Sequence, residues 1–360
     1  MTLIQFGRET DAQLDVLRTR GDDLADRAAA DLVASGMARG GDLVTALETR
    51  AAQGGVCREL LDHAFTVPGW VDFNRMVPGA LMGLRHAVQA ALALLLGSLV
   101  ESYASAKGSK VLIRSGQLQQ DTLQRLHRTA EFVLFISQAR GPRPGSKAHR
   151  TILNVRMVHA FVRRATLKRP DWDVAWGHPV NQEDYASTLM LFSHVTLRSL
   201  ALMGVRVTAE EEDSVHHTFR WVGHVMGVDP LLLTTSRAEE HQLYDCIARR
   251  QLHPDADGAA LAHALVQAMG GRPPLYLPTS FMYAISRLLV GAPLADAFEF
   301  PRSNPWERLT RTISIISRAQ RAAENIPGVP AGLAVLGERF ATALLNQGFA
   351  APNVTARQST

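Results

Sequence analysis

The sequence of 360 residues is poor in cysteine and lysine, and each shortage excludes a class of protein. Its two cysteines, Cys57 and Cys246, are too few for a disulfide framework or for a cysteine-rich zinc or iron–sulfur site, and they favour a reducing compartment. Of the 38 basic residues only four are lysine, so the net charge of +4 depends on arginine. No basic tail of the kind that binds nucleic acid is present, and we expect no nucleic-acid partner.

Long apolar runs are also absent. The N-terminus has no basic stretch followed by an apolar segment, as a signal peptide would. The most apolar run, residues 87–100, is shorter than the roughly 20 residues of a membrane span, and Arg85, His86 and Glu101 bracket it. We therefore expect a buried core helix there and a cytoplasmic protein without a transmembrane segment. Contact of this run with a membrane surface is the alternative.

Several common catalytic motifs are missing. The sequence has no Gly-x-Gly-x-x-Gly after a strand, no Gly-Lys-Ser/Thr loop, no Gly-x-Ser-x-Gly and no His-Glu-x-x-His. It has no Cys-x-x-Cys-His for covalent haem, and no glutamate is followed three residues later by histidine, as a di-iron bundle requires. The remaining candidates for chemistry are histidines and arginines on helices.

Helix signals dominate what is present. Short polar residues followed three positions later by an acid mark helix starts, and Gly204 and Gly227 mark helix ends. Periodic apolar residues indicate further helices. The starts are Asn181–Asp184, Thr208–Glu211, Ser236–Glu239 and Asn304–Glu307, and the periodic stretches are residues 13–33, 42–53, 117–137, 151–166 and 332–346.

Strand signals are almost absent. Residues 110–114 could form a strand or a helix turn, and no two strand-like runs are joined by an Asn-Gly or Asp-Gly turn. Clusters of proline and glycine predict loops at residues 139–149, 168–180, 270–279 and 301–305. The sequence therefore predicts an all-α fold, with no internal repeat and no clear domain linker.

One histidine lies between two arginines. On a helix, Arg156, His159 and Arg163 share one face, at steps of three and four residues. The two cations would lower the histidine pKa and keep the ring neutral, so that it could bind a metal, while the arginines could pair with cofactor carboxylates. The alternative interpretation is a solvated basic face with an incidental histidine.

Two further histidines have informative neighbours. His194 lies on an apolar helical face with Arg198 one turn later, which fits either a core histidine or an axial haem ligand with the arginine near a propionate or bound oxygen. His224 lies beside Trp221 and Met226, which favours core packing. The adjacent pair at 216 and 217 makes a poor chelating pair on a helix, and we expect both residues at the surface.

Residues 70–233 resemble the bacterial family that joins latex clearing proteins (rubber oxygenases) with fungal MpaB-type oxygenases. The matching stretches occur in the family's order. They are GSLVESYASAKGSKVLIRSGQL, RLHRTAEFV, VRMVHAFVR, GHPVNQEDYASTLMLFS and RWVGHVMGVDPLLL.

This resemblance implies an all-helical fold that encloses one non-covalent haem b. In the latex branch the haem iron and dioxygen cleave the double bonds of polyisoprene, and the proximal histidine is followed by an arginine four residues later. His194 and Arg198 match that pair. The distal Arg-x-x-Lys pair of the latex branch corresponds to Arg156 and His159, with histidine in place of lysine.

Two further differences from the latex branch concern the distal side. The threonine that follows the distal lysine there is Ala160 here, and the catalytic glutamate has no clear counterpart, Glu131 being the nearest upstream acid. These differences favour a substrate other than rubber. We expect four regions: residues 1–69 form an N-terminal helical region, 70–300 the haem-binding core, 301–350 C-terminal helices packed on the core, and the polar residues 351–360 a frayed tail.

The function expected from the sequence is a haem b-dependent oxygenase or peroxygenase that uses dioxygen or peroxide on a small apolar substrate, isoprenoid or lipid-like. His194 is the expected proximal iron ligand, with His224 as the alternative ligand, and His159 the distal group. Arg156, Arg163 and Arg198 would neutralise propionates or negative charge that develops during the reaction. The rival functions are a haem sensor, carrier or electron-transfer protein with both axial positions filled by histidine, and a helical interaction protein without haem.

Overall fold

The computed structural model describes residues 10–38, 42–114, 122–138, 141–302 and 304–349. Over these residues the chain forms nineteen α-helices and no strand, and the only β contact there is one isolated bridge between Ser105 and Leu252, so the all-α prediction is confirmed. The first ten helices are α1 (Thr10–Arg18), α2 (Asp23–Ala34), α3 (Leu43–Ala51), α4 (Val56–Phe65), α5 (Val77–Arg85), α6 (Ala87–Leu92), α7 (Leu99–Ser102), α8 (Ala106–Arg114), α9 (Thr122–Ile136) and α10 (Lys147–Thr166). The remaining helices are α11 (Gln182–Met190), α12 (Thr196–Leu202), α13 (Ala209–Met226), α14 (Arg237–Gln251), α15 (Ala256–Met269), α16 (Thr279–Val290), α17 (Ala292–Ala297), α18 (Asn304–Ala323) and α19 (Val329–Ala343).

Six shorter helical segments connect or extend these helices. Three are π-helical: Ala93–Ser98 between α6 and α7, Leu191–Val195 between α11 and α12, and Leu344–Gly348 after α19. The other three are 3₁₀ turns at Phe73–Met76, Val174–Trp176 and Pro230–Leu232. Because a π turn lets a helix continue with one extra residue, residues 182–202 form one helix, as the sequence predicted, with a widened turn in its middle.

Three of the predicted helix caps, at Asn181, Thr208 and Ser236, form as the sequence predicted. The side chain of Asn181 accepts a hydrogen bond from the backbone N–H of Asp184, at 3.0 Å. Thr208 and Glu211 form a reciprocal capping box, and α13 ends at Gly227 with φ of 80°. These caps are local, because each satisfies backbone donors within its own first turn, and the sequence alone therefore reveals them.

Three predicted helix boundaries were wrong, and one of them is the start of α19, which lies at Val329, three residues before the predicted position. Residues 13–33 form two helices, and the break lies where Asp22 caps α2 and Gly21 passes close to the side chains of His178 and Arg163. Helix α10 begins four residues before the predicted start, because the Ser146 hydroxyl accepts a hydrogen bond from the His149 N–H. Residues 110–114 belong to α8. Parts of the predictions, at residues 39–41, 115–121, 139–140, 303 and 350–360, lie outside the described residues.

Most of the apolar run at residues 87–100 is buried, as expected, although Val88 is 36% exposed. Leu92, Ala93, Leu95 and Leu96 are at most 7% exposed, and they pack with Leu197 and Leu200 of α12 and Leu289 of α16 in the largest cluster of the core. No single described helix is long and apolar enough to cross a membrane; Phe73–Arg85 and Ala87–Ser102 meet that test only as a pair, bent by 93°.

Helix α19 crosses α5 at a point where only glycine fits. A Cβ atom on Gly337 would overlap the carbonyl oxygen of Leu84 and lie 3.1 Å from Ala87 Cβ. Five residues earlier on the same helix, a Cβ atom on Gly332 would have no atom within 4 Å. Alanine substitutions at these two glycines therefore distinguish the effect of close packing on stability from the effect of helix propensity.

We predict that Gly337→Ala lowers the free energy of unfolding by about 1–3 kcal/mol, because the added methyl group pushes α19 away from α5. Gly332→Ala should raise it by about 1 kcal/mol, since alanine favours the helix and nothing opposes its side chain. Urea unfolding followed by circular dichroism measures both. Equal effects of the two substitutions would contradict the close crossing of α19 and α5.

Candidate functional site

His194 lies in the π-helical turn between α11 and α12 and is 8% exposed. Its ring packs against Tyr244 of α14, with ring centroids 4.7 Å apart, and edge-on against His241, at 4.9 Å. Neither ring nitrogen of His194 hydrogen-bonds to another described residue. Burial, and then the neighbouring His241 and Arg198, lower the pKa of His194 to about 4. The imidazole is therefore neutral at pH 7, and a nitrogen lone pair is available to a ligand or metal.

A buried carboxylate lies beside this histidine. Glu101 of α7 is 1% exposed and accepts hydrogen bonds from the Arg198 guanidinium and the Tyr244 hydroxyl. Arg198 also donates to the Tyr244 oxygen, at 3.0 Å. The sequence predicted Arg198 near the site, and the structure shows that its charge is paired with Glu101. The three side chains satisfy one another and hold the Tyr244 ring against His194.

Arg156 and Arg163 of α10 are fully buried and both bind carboxylates of the α2 region. Arg156 forms a forked pair with Asp22, with Nε–Oδ2 at 2.7 Å and Nη2–Oδ1 at 3.0 Å. Arg163 binds Asp26 through Nε, at 2.7 Å, and donates to the Tyr185 hydroxyl, at 2.9 Å. The alternative interpretation, a solvated basic face, is therefore wrong for Arg156 and Arg163. Their guanidinium groups instead connect α10 to the α2 region and, through Tyr185, to α11.

His159 lies on α10 between these two arginines. Its ring centroid is 5.4 Å from that of Tyr185, and its Nδ1 atom is buried without a hydrogen-bond partner. The pKa of His159 is lowered to about 4, mainly by burial and secondly by the charge of Arg163. This second imidazole is therefore also neutral, and burial contributes more to that state than the flanking charges on which the sequence argument relied.

The structure does not bring His159 and His194 into contact. Tyr185, which packs on His159, precedes His194 by nine residues on the same helix, a rise of about 13 Å in α geometry. Glu131, the nearest upstream acid, lies half-buried on α9 and has no described contact with either histidine.

His224 belongs to an aromatic cluster between α13 and α4. Its ring stacks on His63, with centroids 4.7 Å apart, and on Trp221, at 5.5 Å, and its Nε2 lies 3.3 Å from the Thr66 carbonyl oxygen. Through His63, whose Nδ1 lies 3.1 Å from Arg156 Nη1, the cluster meets the buried Arg156–Asp22 pair. These contacts match the core packing expected from its sequence neighbours.

The expectation that His216 and His217 lie at the surface was wrong. They are 7% and 3% exposed, because Thr234 and the pocket beside it cover His216, while Trp70 and Asp72 cover His217. His217 Nε2 accepts a hydrogen bond from the Asp72 N–H, at 3.0 Å, and His216 Nε2 lies 3.0 Å from the Thr234 hydroxyl oxygen. Both rings are thus satisfied core residues.

Residues 83–323, more than half of the chain, match the family model described as the catalytic domain of ER-bound oxygenase mpaB/B′ and rubber oxygenase. The chain belongs to this oxygenase family. His159, His194, His224 and the three candidate arginines all lie within the matched range. Membership supports oxygenase-type activity and places the protein among the oxidoreductases at that general level.

Two relatives show how far the similarity to the rubber oxygenase branch extends. The chain is 25% identical over 305 residues to a rubber oxygenase of Streptomyces sp. strain K30, covering 82% of this chain and 74% of the relative. A structure of latex clearing protein LCP in the closed state superposes with a TM-score of 0.73 and 21% identity, over 90% of this chain and 91% of that one. The structural similarity shows that this chain and latex clearing protein LCP share a fold.

The family resemblance did not reveal one buried acid of the site. Glu240 of α14 is 4% exposed and accepts a hydrogen bond from Ser193, the residue before His194, while its Oε2 atom has no partner. Burial raises its pKa to about 7. Its spacing of three and seven residues from the buried Leu243 and Ile247 is the signal that places it on the inner face of α14.

Glu240 also lines a small pocket between α11, α13 and α14. Apolar side chains form most of the wall, and Glu240, His216, Arg220 and Thr234 are its polar members. A carboxyl group in such surroundings is favoured in its protonated form.

We predict that Glu240→Gln raises the free energy of unfolding at pH 8. The folded-state pKa lies above the unfolded value, so the native protein binds more protons between about pH 4.5 and 7 and loses stability as the pH rises through that window. The glutamine removes this loss of about 3 kcal/mol at pH 8 and changes little near pH 4.5. Urea unfolding at both pH values gives the comparison, with the exposed Glu338→Gln as control. A Glu240→Gln protein less stable than the parent at pH 8 would contradict the neutral buried acid.

Proposed function

We propose that this protein is a haem b-dependent oxygenase or peroxygenase that acts on a small apolar molecule of isoprenoid or lipid type, with dioxygen or peroxide as co-substrate. His194 is the proximal iron ligand and His159 lies on the distal side. We also propose that the protein is located in the cytoplasm. Family membership supports the oxygenase class, and the residues around His194 support the role of that histidine.

The observation that carries the proposal is the state of His194. Haem iron requires a neutral imidazole with a free lone pair, and the buried histidines that serve only packing usually use a ring nitrogen in a hydrogen bond. His194 is buried and neutral, and both its nitrogens lack hydrogen-bond partners among the described residues. It also lies in a π turn, a helix distortion frequent at functional sites.

The donor set fits haem better than a metal ion bound by protein alone. Among the described residues, no three or more histidine, cysteine, aspartate or glutamate side chains lie together as such an ion requires. A porphyrin supplies four ligands itself, so one or two histidines suffice. When bound, haem supplies the oxidative chemistry that protein side chains cannot perform.

Glu101 and Tyr244 position the proximal ligand. The buried carboxylate fixes the tyrosine hydroxyl and Arg198 together, and the tyrosine ring limits rotation of the His194 imidazole. Since its guanidinium is already paired with Glu101, Arg198 contributes by holding this assembly and by keeping the nearby imidazole neutral.

His159 can serve as an exchangeable group on the distal side. It is neutral, its Nδ1 is unpartnered, and Arg156 and Arg163 fix the helix on which it lies. Histidine in place of the lysine of the latex branch, and Ala160 in place of threonine, change the polarity of this side. These replacements support a substrate other than polyisoprene.

We predict that the purified protein shows a Soret band, that acidic organic solvent extracts the haem, and that His194→Ala abolishes the band because the iron loses its ligand. The exposed His253→Ala should leave it unchanged. Absorption spectra and iron analysis of protein made with ample haem provide the test. No iron in the parent protein would overturn the proposal, and loss of the band in His224→Ala alone would transfer the ligand role to that residue.

We predict that His159→Ala retains haem, shifts the ferric spectrum toward high spin and speeds carbon monoxide binding to the ferrous form, because the group that competes for the sixth position is gone. Spectra and stopped-flow mixing measure both effects. If spin state and binding rate do not change, His159 has no role at the iron. If the parent protein binds no carbon monoxide and oxidises no alkene, it is the histidine-ligated sensor or electron carrier instead.

A further inference from the structure

Helix α18 has polar residues on its buried side. Ser317 is fully buried and Thr310 is 5% exposed. The Ser317 hydroxyl accepts a hydrogen bond from Gln89 Nε2 of α6, at 3.3 Å. A surface helix of a globular protein normally turns an apolar stripe toward the core. Trp306 and Ile313 pack on the core from this side of α18, and the buried polar residues interrupt the stripe.

Ion pairs and hydrogen bonds hold this polar side in place. Arg321 donates to Glu211 of α13, at 2.9 Å, and Gln320 donates to the Arg85 carbonyl oxygen. Glu324, just after the helix, lies 2.9 Å from Arg85 Nε and from His86 Nε2. The position of α18 is therefore fixed by this polar network together with the packing of Trp306 and Ile313 on the core, and it does not depend on burial of the other large apolar residues of the helix.

The other large apolar residues of α18 point outward. Leu309, Ile315 and Ile316 are 43%, 66% and 59% exposed. Their spacing places them on one side of the helix, together with Arg308, Thr312 and Ala319. We call these six residues the outer face of α18. Beyond the helix, Ile326, Val335 and Leu336 are also about half exposed.

The charges on and beside the outer face indicate the partner. Arg308 on the face and Arg318 at its edge are exposed, and neither has an ion-pair partner among the described residues. An anionic partner would satisfy both cations and cover the isoleucines. A second copy of the same face would bring like charges together, which opposes self-association.

We propose that the outer face of α18 binds the surface of an anionic lipid bilayer. The isoleucines and Leu309 enter the boundary between headgroups and acyl chains, and the arginines extend along the surface to reach lipid phosphates. This attachment is peripheral, and it would place the protein where apolar molecules accumulate. It rests on the surface of α18 and is independent of the proposed haem function.

The test is flotation of the full chain with vesicles of phosphatidylcholine alone and of phosphatidylcholine with one-quarter phosphatidylglycerol. We expect binding to the mixed vesicles, weakened by salt, and little binding to the neutral ones. Ile315→Glu with Ile316→Glu should reduce binding at least tenfold. Arg308→Gln and Arg318→Gln should each reduce it roughly fivefold, the factor that corresponds to the loss of one basic residue near an anionic surface.

Val174→Glu is the matched control, since Val174 is an exposed apolar residue, 88% accessible, far along the chain from α18. It should leave vesicle binding unchanged, and circular dichroism should show that every variant is folded. Absence of binding to mixed vesicles overturns the proposal. So does a concentration-dependent dimer that Ile315→Glu with Ile316→Glu dissociates, which would show that a second copy covers the face. Because haem content is measured separately, neither result bears on the role of His194.

Discussion

The fold depends on one buried guanidinium. Arg156 of α10 binds Asp22 at the start of α2, the carbonyl oxygen of Val225 near the end of α13, and His63 of α4. Four helices that are distant in the sequence therefore meet at a single side chain. Removal of either partner would leave a charge buried without compensation, at a cost of about 3–5 kcal/mol. The same pair explains Gly227: a Cβ atom there would collide with both Arg156 and Asp22.

Burial sets the charge state of the candidate site. His63, His159, His194 and His216 all have their pKa lowered to about 4, chiefly by removal from water. Glu240 shows the converse effect, a raised pKa, for the same reason. The interior around α11–α14 therefore holds uncharged imidazole groups at neutral pH and one carboxyl group that titrates near neutral pH, while its buried charges occur in pairs such as Arg198 with Glu101. Neutral imidazole groups and paired charges are compatible with the proposed haem site.

Local features of the fold were predictable from the sequence, and contacts between distant residues were not. The Thr208–Glu211 capping box is encoded within four residues, and the apolar run before Glu101 identifies a core helix without knowledge of its neighbours. Glu101 and Arg198 form an ion pair although they are 97 positions apart in the sequence, and no local pattern predicts this pair. The break before Asp22 combines a local signal, the Asp22 cap of α2, with an ion pair from the distant Arg156, and only the cap could have been found in the sequence. The family resemblance supplied candidate ligands, and the structure supplied their neighbours.

The π turn at residues 191–195 allows the contacts of Tyr185 before it and of Arg198 after it to form independently, which a regular helix would not. In an unbroken α-helix, the directions of Tyr185 and Arg198 are tied to each other by a fixed rotation of 100° per residue. One additional residue in the π turn changes this rotation between the two halves of the helix. Tyr185 can therefore contact Arg163 of α10 while Arg198 contacts Glu101 of α7. His194 lies in the π turn itself, between the two halves of the helix. A one-residue deletion within this turn would restore the regular repeat and rotate one half against the other, so the length of this segment is as much a part of the site as the identity of its histidine.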